Sequence, residues 1–562
     1  MFRNKKTDAA AQNQYLNYIA AVVLPEFQQG KRRELNSLYT VFALEGCEHY
    51  QIEAAGICQE ILEALSPKQF IRMEEQFRKN TCTEWGITCG QIDWGRLYPS
   101  RDRFSHLSLR QYNTVLKLGT FHANGYYRQR CMELVAEQEG SLPFLILRLN
   151  DWVEQIREEA FVLAGERLCQ CGAEELFQAM PCFGKVQSSR RRKTEYINKL
   201  EEQLQSSLAG KIAQVSLRNI RNYDISVRNA IYRFVSCHPV LDREEMELLL
   251  ALEKDGLGKK TLIMGILQNF DCGEEQIKRY LHSKSAVVRY LALEYQYQRL
   301  GNAWDGLEEL LLDKSKRVRG TAGCILEQHT DFDVLDFYLK KLNREENIVV
   351  ILGVGEHGSE SEAELIRPFL ESASEPTVRA ALTAFGRLAG AGEEEIYWNY
   401  LMDGRPGIAR QAYLVVRKLE ISYGAEKLYQ AFLARRDSRT GRYLLNLLLR
   451  EPSWKRLLYL LLLYDIEDMD MRAKIYHGVS VRNMYAKVTA EQAGEIRQIL
   501  EQMGERIPGK VKSGILFDLK HVSVGWRGAA QGRIPILQTA GAGETEGSGG
   551  DGAPGCKGAG CS

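Results

Sequence analysis

The residues best spaced for chemistry lie between Ile348 and Gly358. There IVVILGVGEHG sets Gly353, Gly355 and Gly358 in the pattern G-x-G-x-x-G behind an apolar, β-branched run. In a dinucleotide fold such glycines let the backbone approach a pyrophosphate at a helix N-terminus. Glu371 and Glu375 follow near the place of a ribose-binding acid. That chemistry needs a parallel sheet around the loop. The flanking sequence reads as helical on both sides, so the reading adopted is a Gly-rich helix. GLGKKT at Gly256 lacks the spacing of a phosphate loop. The chain holds 13 cysteines and 9 histidines, with no C-x-x-C and no H-E-x-x-H. No metal ligands are assigned from them. Cys131, Cys237 and Cys324 fall in helical segments and read as reduced, buried thiols. Catalytic, cofactor-binding and metal residues are all read as none.

Charge offers binding chemistry instead. Residues 345–403 hold twelve acidic and three basic residues, a net of −9. Residues 405–456 hold twelve basic and four acidic, a net of +8. Arg387, Lys418 and Arg450 recur at steps of 31 and 32 residues. If their helices stack, the three form a basic row that draws in an acidic protein partner, most strongly at low salt. They are the assigned partner-binding residues. Trp398 and Trp454 flank the same stretch. They keep a nucleic-acid-binding protein or a DNA glycosylase-type enzyme using residues 405–456 as the alternative, since glycosylases stack an extruded base on aromatic rings. A second basic run, within PCFGKVQSSRRRK at Pro181–Lys193, reads as a solvated loop between helices.

The elements that must position these residues repeat. EPTVRAALTAFGRLAG (Glu375–Gly390) and SAVVRYLALEYQYQRLG (Ser285–Gly301) each pass from a polar turn through Val-Arg into an amphipathic helix ending at Gly. Anchored on that Arg, the pattern recurs at Arg128, Arg157, Arg228, Lys260, Arg289, Arg319, Val350, Arg379, Arg410, Arg442 and Arg472. The steps are 29 to 32 residues apart from one of 71, which fits two units plus an insertion near 181–193. Positions one before and six after the anchor are mostly apolar, and lie on one helix face because they are seven apart. Lys259, Gly441, Glu356 and Gly478 depart from those columns. A fixed period near 30 signals a solenoid.

This register resembles the HEAT-repeat family, in which antiparallel helices pair across a turn and an Arg opens the second helix. The resemblance covers roughly Phe121 to Ile515. It implies an all-α, right-handed α-solenoid of about eleven or twelve helical hairpins, used as an interaction scaffold. It also implies that each anchor Arg bonds to turn residues, for which Asp151, Asp224, Asp313 and Glu375 are at hand. On that account Arg410 and Arg442 are structural. Residues 1–107 read as a helical capping region with an irregular loop at 80–105, where Trp85 and Trp94 pin the loop. Residues 108–515 are the array. Residues 516–562 are an extension whose tail from 541 is too rich in Gly to bury a core.

Composition excludes some functions. Lys plus Arg is 74 and Asp plus Glu is 73, a net charge of +1, without the basic excess of a general nucleic-acid binder. The most apolar run, Leu457–Tyr464, is far too short to span a membrane. The start lacks a signal-peptide core, and the expected setting is cytoplasmic. The expected function is a protein-binding scaffold without catalysis. Far-ultraviolet circular dichroism should show a dominantly helical protein, and small-angle scattering an elongated particle. A substantial β signal would revive the dinucleotide site at Gly353.

Overall fold

Every regular element of the computed structural model is a helix. The structure describes residues 15–30, 35–79, 93–190, 193–342, 347–436, 438–483 and 485–523, and among these there is no strand. The basic clusters at Arg3–Lys6 and Lys31–Arg33, Trp85 with Cys82 and Cys89, and the Gly-rich tail lie outside the described residues. The fold is an all-α solenoid of stacked helical hairpins. It divides into two compact units, Met1–Phe332 and Asp333–Ser562. The repeat period does not announce that division, because anchors continue at the same step through 319, 350 and 379.

In the first unit the second helices Ile225–Cys237, Gly256–Asn269, Ala286–Leu300 and Lys316–His329 pack on one another in succession. The expected columns are the core: Val227, Ile231, Val288, Ala292, Val318 and Ala322 are all buried. Helix starts are fixed locally. Asp224 accepts from Ser226 N–H and Asp255 from Gly258 N–H, each satisfying a donor that the first turn leaves open. The capping region is part of the same core, since helix Glu48–Ala64 packs on helix Leu109–Gly119.

The slip in period is resolved differently from the sequence reading. Residues 181–187 are not loop but the end of helix Ala173–Gln187, with Pro181 inside it. An interior proline costs about 3 kcal/mol. Burial of Met180, Cys182, Phe183 and Val186 around it outweighs that. The extra length goes into the long helix Thr194–Val215, which buries Ile197, Leu200, Leu204, Leu208 and Ile212 along one stripe.

In the second unit the helices Ile348–His357, Glu375–Leu388, Pro406–Lys418 and Arg439–Leu448 stack likewise. Here the glycine motif finds its cause. A Cβ at Gly353 would strike the Tyr338 ring, and one at Gly355 would sit 2.5 Å from the Ala384 Cα. One helix on, a Cβ at Gly386 would sit 2.5 Å from Val415 Cγ1. Gly355 and Gly386 let second helices approach closely and Gly353 admits the ring of its own hairpin partner; they do not cradle a phosphate. Gly478, out of column in the sequence, makes room for the Leu449 and Leu460 side chains.

Two substitutions test this packing. Phe385 is fully buried, and Phe385→Ala should destabilise by about 3–5 kcal/mol. Gly355→Ala should also destabilise, by roughly 1–3 kcal/mol from overpacking, although Ala is the better helix former by about 1 kcal/mol. Urea unfolding measures both, and a stabilised Gly355→Ala protein would refute the close approach. Lys418→Ala, on an exposed position, should stay within roughly ±0.5 kcal/mol.

Candidate partner-binding surface

Each anchor lies in the first turn of its second helix, and a helical side chain leans back toward the N-terminus. An anchor Arg therefore reaches the turn it follows. In the first unit that reach closes a clamp. Arg128 Nε and Nη2 donate to the two Asp151 carboxylate oxygens at 2.8 and 2.7 Å, while its Nη1 donates to the His122 carbonyl at 2.7 Å. Arg289 does the same to Asp313 at 2.6 and 2.7 Å, and to the Ser283 carbonyl at 2.7 Å. Arg228 takes Glu253 at 3.0 Å and the Tyr223 carbonyl at 2.8 Å. The ladder continues, because Arg157 and Arg319 donate to the carbonyls of Asp151 and Asp313 at 2.7 and 2.8 Å.

Asp151 and Asp313 thus act as the resemblance implied. Glu253 does so too and was missed, hidden by being a Glu one position earlier in the turn. Asp224 caps its own helix instead. Asp151 is wholly buried and also bonds Arg148 Nη1 at 3.0 Å; Arg148, wholly buried as well, reaches Glu74. Burial opposes charge on Asp151, but Arg148 and Arg128 together lower its pKa.

In the second unit the clamp comes apart. Asp403 stands 24 residues after Arg379, as Asp313 does after Arg289. Its carboxylate is taken instead by Arg405, at 3.1 Å from Nε and 2.9 Å from Nη2. The position 25 residues after Arg410 is Arg435, not an acid. Glu375 lies over Gly407, where a Cβ would strike its carboxylate oxygen. Among the described residues Arg379 and Arg410 make no ion pair, and both are exposed. Arg442 pairs with Asp468 at 3.3 Å but its side chain stays 57% exposed. Among the described residues Arg410 thus lacks the ion pair expected of a structural anchor, since Arg435 stands where the first-unit turns carry an acid.

The assigned row sits at the other end of the same helices. Lys418 ends its helix and Arg450 follows the end of Arg439–Leu448; both are exposed. Arg387 is only partly exposed and pairs with Glu356 at 3.2 Å. That pair also explains why an acid occupies a core column at 356. Between the ends, the Tyr413 and Tyr443 rings stack at 5.0 Å. The two tryptophans do not form a base platform. Trp454 is buried, with Nε1 donating to the Asn483 carbonyl at 2.8 Å, and Trp398 packs against Tyr423 under Lys427.

Among the described cysteines, Cys47, Cys58, Cys131, Cys171, Cys182 and Cys272 are buried thiols. Burial pushes Cys58 up to about 12, far from a nucleophilic thiolate. Cys237 and Cys324 are exposed, contrary to expectation, because each falls on the outer side of its helix. Among the described residues no group of three His, Cys, Asp or Glu could hold a metal, and no helix is long and apolar enough to cross a membrane.

No family model and no curated protein sequence matches the chain. Among solved structures it is similar to the karyopherin Kap121p bound to the extreme C-terminus of the protein phosphatase Cdc14p. The identity is 9% over 92% of this chain and 57% of that one, with a TM-score of 0.29. Importin beta in an ammonium sulfate condition gives 12% identity over 92% and 65%, with a TM-score of 0.27. Kap95p binding RanGDP gives 12% over 93% and 66%, at 0.24. This chain thus spans less than two thirds of the length of each. At such TM-scores the likeness carries no argument about site or partner, and the fold rests on the helices themselves.

The buried network gives a pH test. Asp151→Asn leaves two buried guanidinium groups short of a counter-charge, and should destabilise by about 3–5 kcal/mol at neutral pH. The folded-state pKa of Asp151 is lowered, so its contribution is present above the unfolded value and lost as pH falls through the folded one. The gap in unfolding free energy between wild type and Asp151→Asn should therefore narrow below about pH 4. A gap unchanged down to pH 2 would contradict the pairing.

Proposed function

We propose that the chain is a HEAT-type interaction scaffold, without catalysis of its own, that binds an acidic protein partner on the second-helix face of its second unit. The observation that carries this reading is the release of Arg379 and Arg410 from the clamp that holds their counterparts in the first unit. A guanidinium without a partner keeps its full field and its donor fork for a ligand carboxylate.

Two basic rows frame the face. One joins the helix starts at Arg379, Arg410 and Arg442; the other joins the ends at Arg387, Lys418 and Arg450. Eight residues along a helix set the rows about 12 Å apart. Arg387 enters already paired with Glu356, so Lys418 and Arg450 carry the second row. The burial of Trp454 weighs against the glycosylase-type alternative. The proposed setting is the cytoplasm, where thiols are kept reduced.

The test uses immobilised poly-glutamate as a probe at low and high salt. The combined reversal of Arg410, Lys418 and Arg450 to Glu should weaken capture at low salt by about tenfold or more. At high salt, where screening falls to a few ångströms, wild type and variant should converge. Capture that survives the reversal at low salt would overturn the surface. Tighter binding of single-stranded DNA than of poly-glutamate would favour the nucleic-acid reading.

A further inference from the structure

A cleft of about 770 Å³ opens in the first unit where the repeat period slips. Four helices wall it: Pro67–Lys79, Ala173–Gln187, Ile225–Cys237 and Gly256–Asn269. It exists because stacking is irregular there. The Pro67–Lys79 helix packs against both Ala173–Gln187 and Ile225–Cys237, in place of a regular first helix. A cleft of this volume is in the range of small-molecule sites, roughly 300–1,000 Å³.

Its lining is of two kinds. Phe183 and Phe234 form a buried apolar floor. Ile225 and Leu257, large apolar residues 46% and 50% exposed, stand on its wall. The charged residues at the rim are Lys68, Lys185 and Arg233, and no carboxylate lines the cleft. Lys185 is held by Glu75 at 2.7 Å. Lys68 and Arg233 are exposed and make no ion pair among the described residues. The Asn229 Oδ1 atom is buried in the lining without a hydrogen-bond partner. A half-turn of that amide, which exchanges oxygen for NH2, supplies a donor to an anionic oxygen. Ser188, the first residue of the SSRRRK run, lies on the rim as well.

We infer that this cleft is a binding site for an amphipathic anion, an apolar chain carrying a single anionic head group. The chain lies against Phe183, Phe234 and the exposed Ile225 and Leu257, whose coverage removes apolar surface from water. The head sits among Lys68, Arg233 and Asn229. Cations on a low-dielectric wall attract an anion more strongly than the same groups in open water. The site is independent of the acidic-partner surface, which lies in the other unit.

The test titrates the full chain by calorimetry with four twelve-carbon probes. Dodecanoate and dodecyl phosphate carry anionic heads, dodecyltrimethylammonium a cationic one, and dodecyl maltoside a neutral one. The two anions should bind in preference to the other two, all below their micellar concentrations. The tighter of the two distinguishes a fatty-acid head from a lysophospholipid-like one. Lys68→Gln with Arg233→Gln should weaken the anions by about tenfold and leave the neutral probe unchanged. Leu257→Asp, at an exposed position, should weaken the neutral probe too. Cys237 lines the cleft and is exposed, as Cys169 and Cys324 are elsewhere. Bound dodecanoate should slow iodoacetamide alkylation of Cys237 alone, read by mass spectrometry. Equal binding of the cationic probe would overturn the inference. So would anion binding that ignores the double substitution, or equal protection of all three cysteines.

Discussion

An arginine in the first turn of a helix must find acceptors before it can leave water. A lone buried guanidinium is costly, whereas one forked onto a carboxylate and a carbonyl is satisfied. The first unit is organised by that requirement. Each clamped Arg holds the turn behind it through a carbonyl and the turn ahead through an acid, so one side chain links two successive hairpins. Asp151 shows how far this goes. Two guanidiniums converge on it, Arg148 also reaches Glu74 through Nη2, and two positive charges face two negative ones in a buried site. Removing any one member leaves a charge stranded, which makes such a network brittle to mutation and specific in register.

Close approach of second helices is the companion constraint. Gly355 lies directly against the Ala384 backbone, and Gly386 makes room for the Val415 side chain. Interiors pack at crystal-like density, so these contacts fix the spacing from one hairpin to the next. The apparent nucleotide motif and the repeat are thus one feature. Gly353 and Gly355 fall on the two sides of a single helix, one against its own hairpin partner Tyr338 and the other against the next second helix.

The period and its apolar columns were legible in the sequence because burial of one helix face imposes them at every step. What the period could not carry is anything set by a distant partner. Glu356 looked like an error in a core column until Arg387 arrived from the next helix to neutralise it. Pro181 signalled a break, but Met180, Cys182 and Phe183 around it decided for helix. Cys237 and Cys324 sit in helices as expected yet on the solvent side, a matter of face that membership in a helix does not settle. The fate of each anchor likewise depends on a residue 23 to 26 positions away. That dependence can be written as a rule: a second-helix Arg is clamped when an acid stands there and no Arg follows the acid by two. Arg405 after Asp403, and Arg435 in place of an acid, are the departures at Arg379 and Arg410.

Freed guanidiniums change the energetics of the second unit as well as its surface. Uncompensated cations on neighbouring helices repel, and the repulsion opposes the close stacking that the glycines permit. The Debye length is about 8 Å at physiological salt, so water screens this only in part. The two basic rows, about 12 Å apart along the helices, are nearly independent of each other. Cations within one row are not, because adjacent packed helices lie roughly 8–10 Å apart. An acidic partner lying across successive second helices would relieve repulsion within a row at the same time as it forms contacts. Binding and folding of this unit are then linked, since a ligand that selects the folded state stabilises it by mass action. In the first unit Arg128, Arg228 and Arg289 are already neutralised by their acids and gain nothing of the kind. The same anchor position therefore differs between the units: Arg128, Arg228 and Arg289 link hairpins through an acid, whereas Arg379 and Arg410 make no ion pair among the described residues.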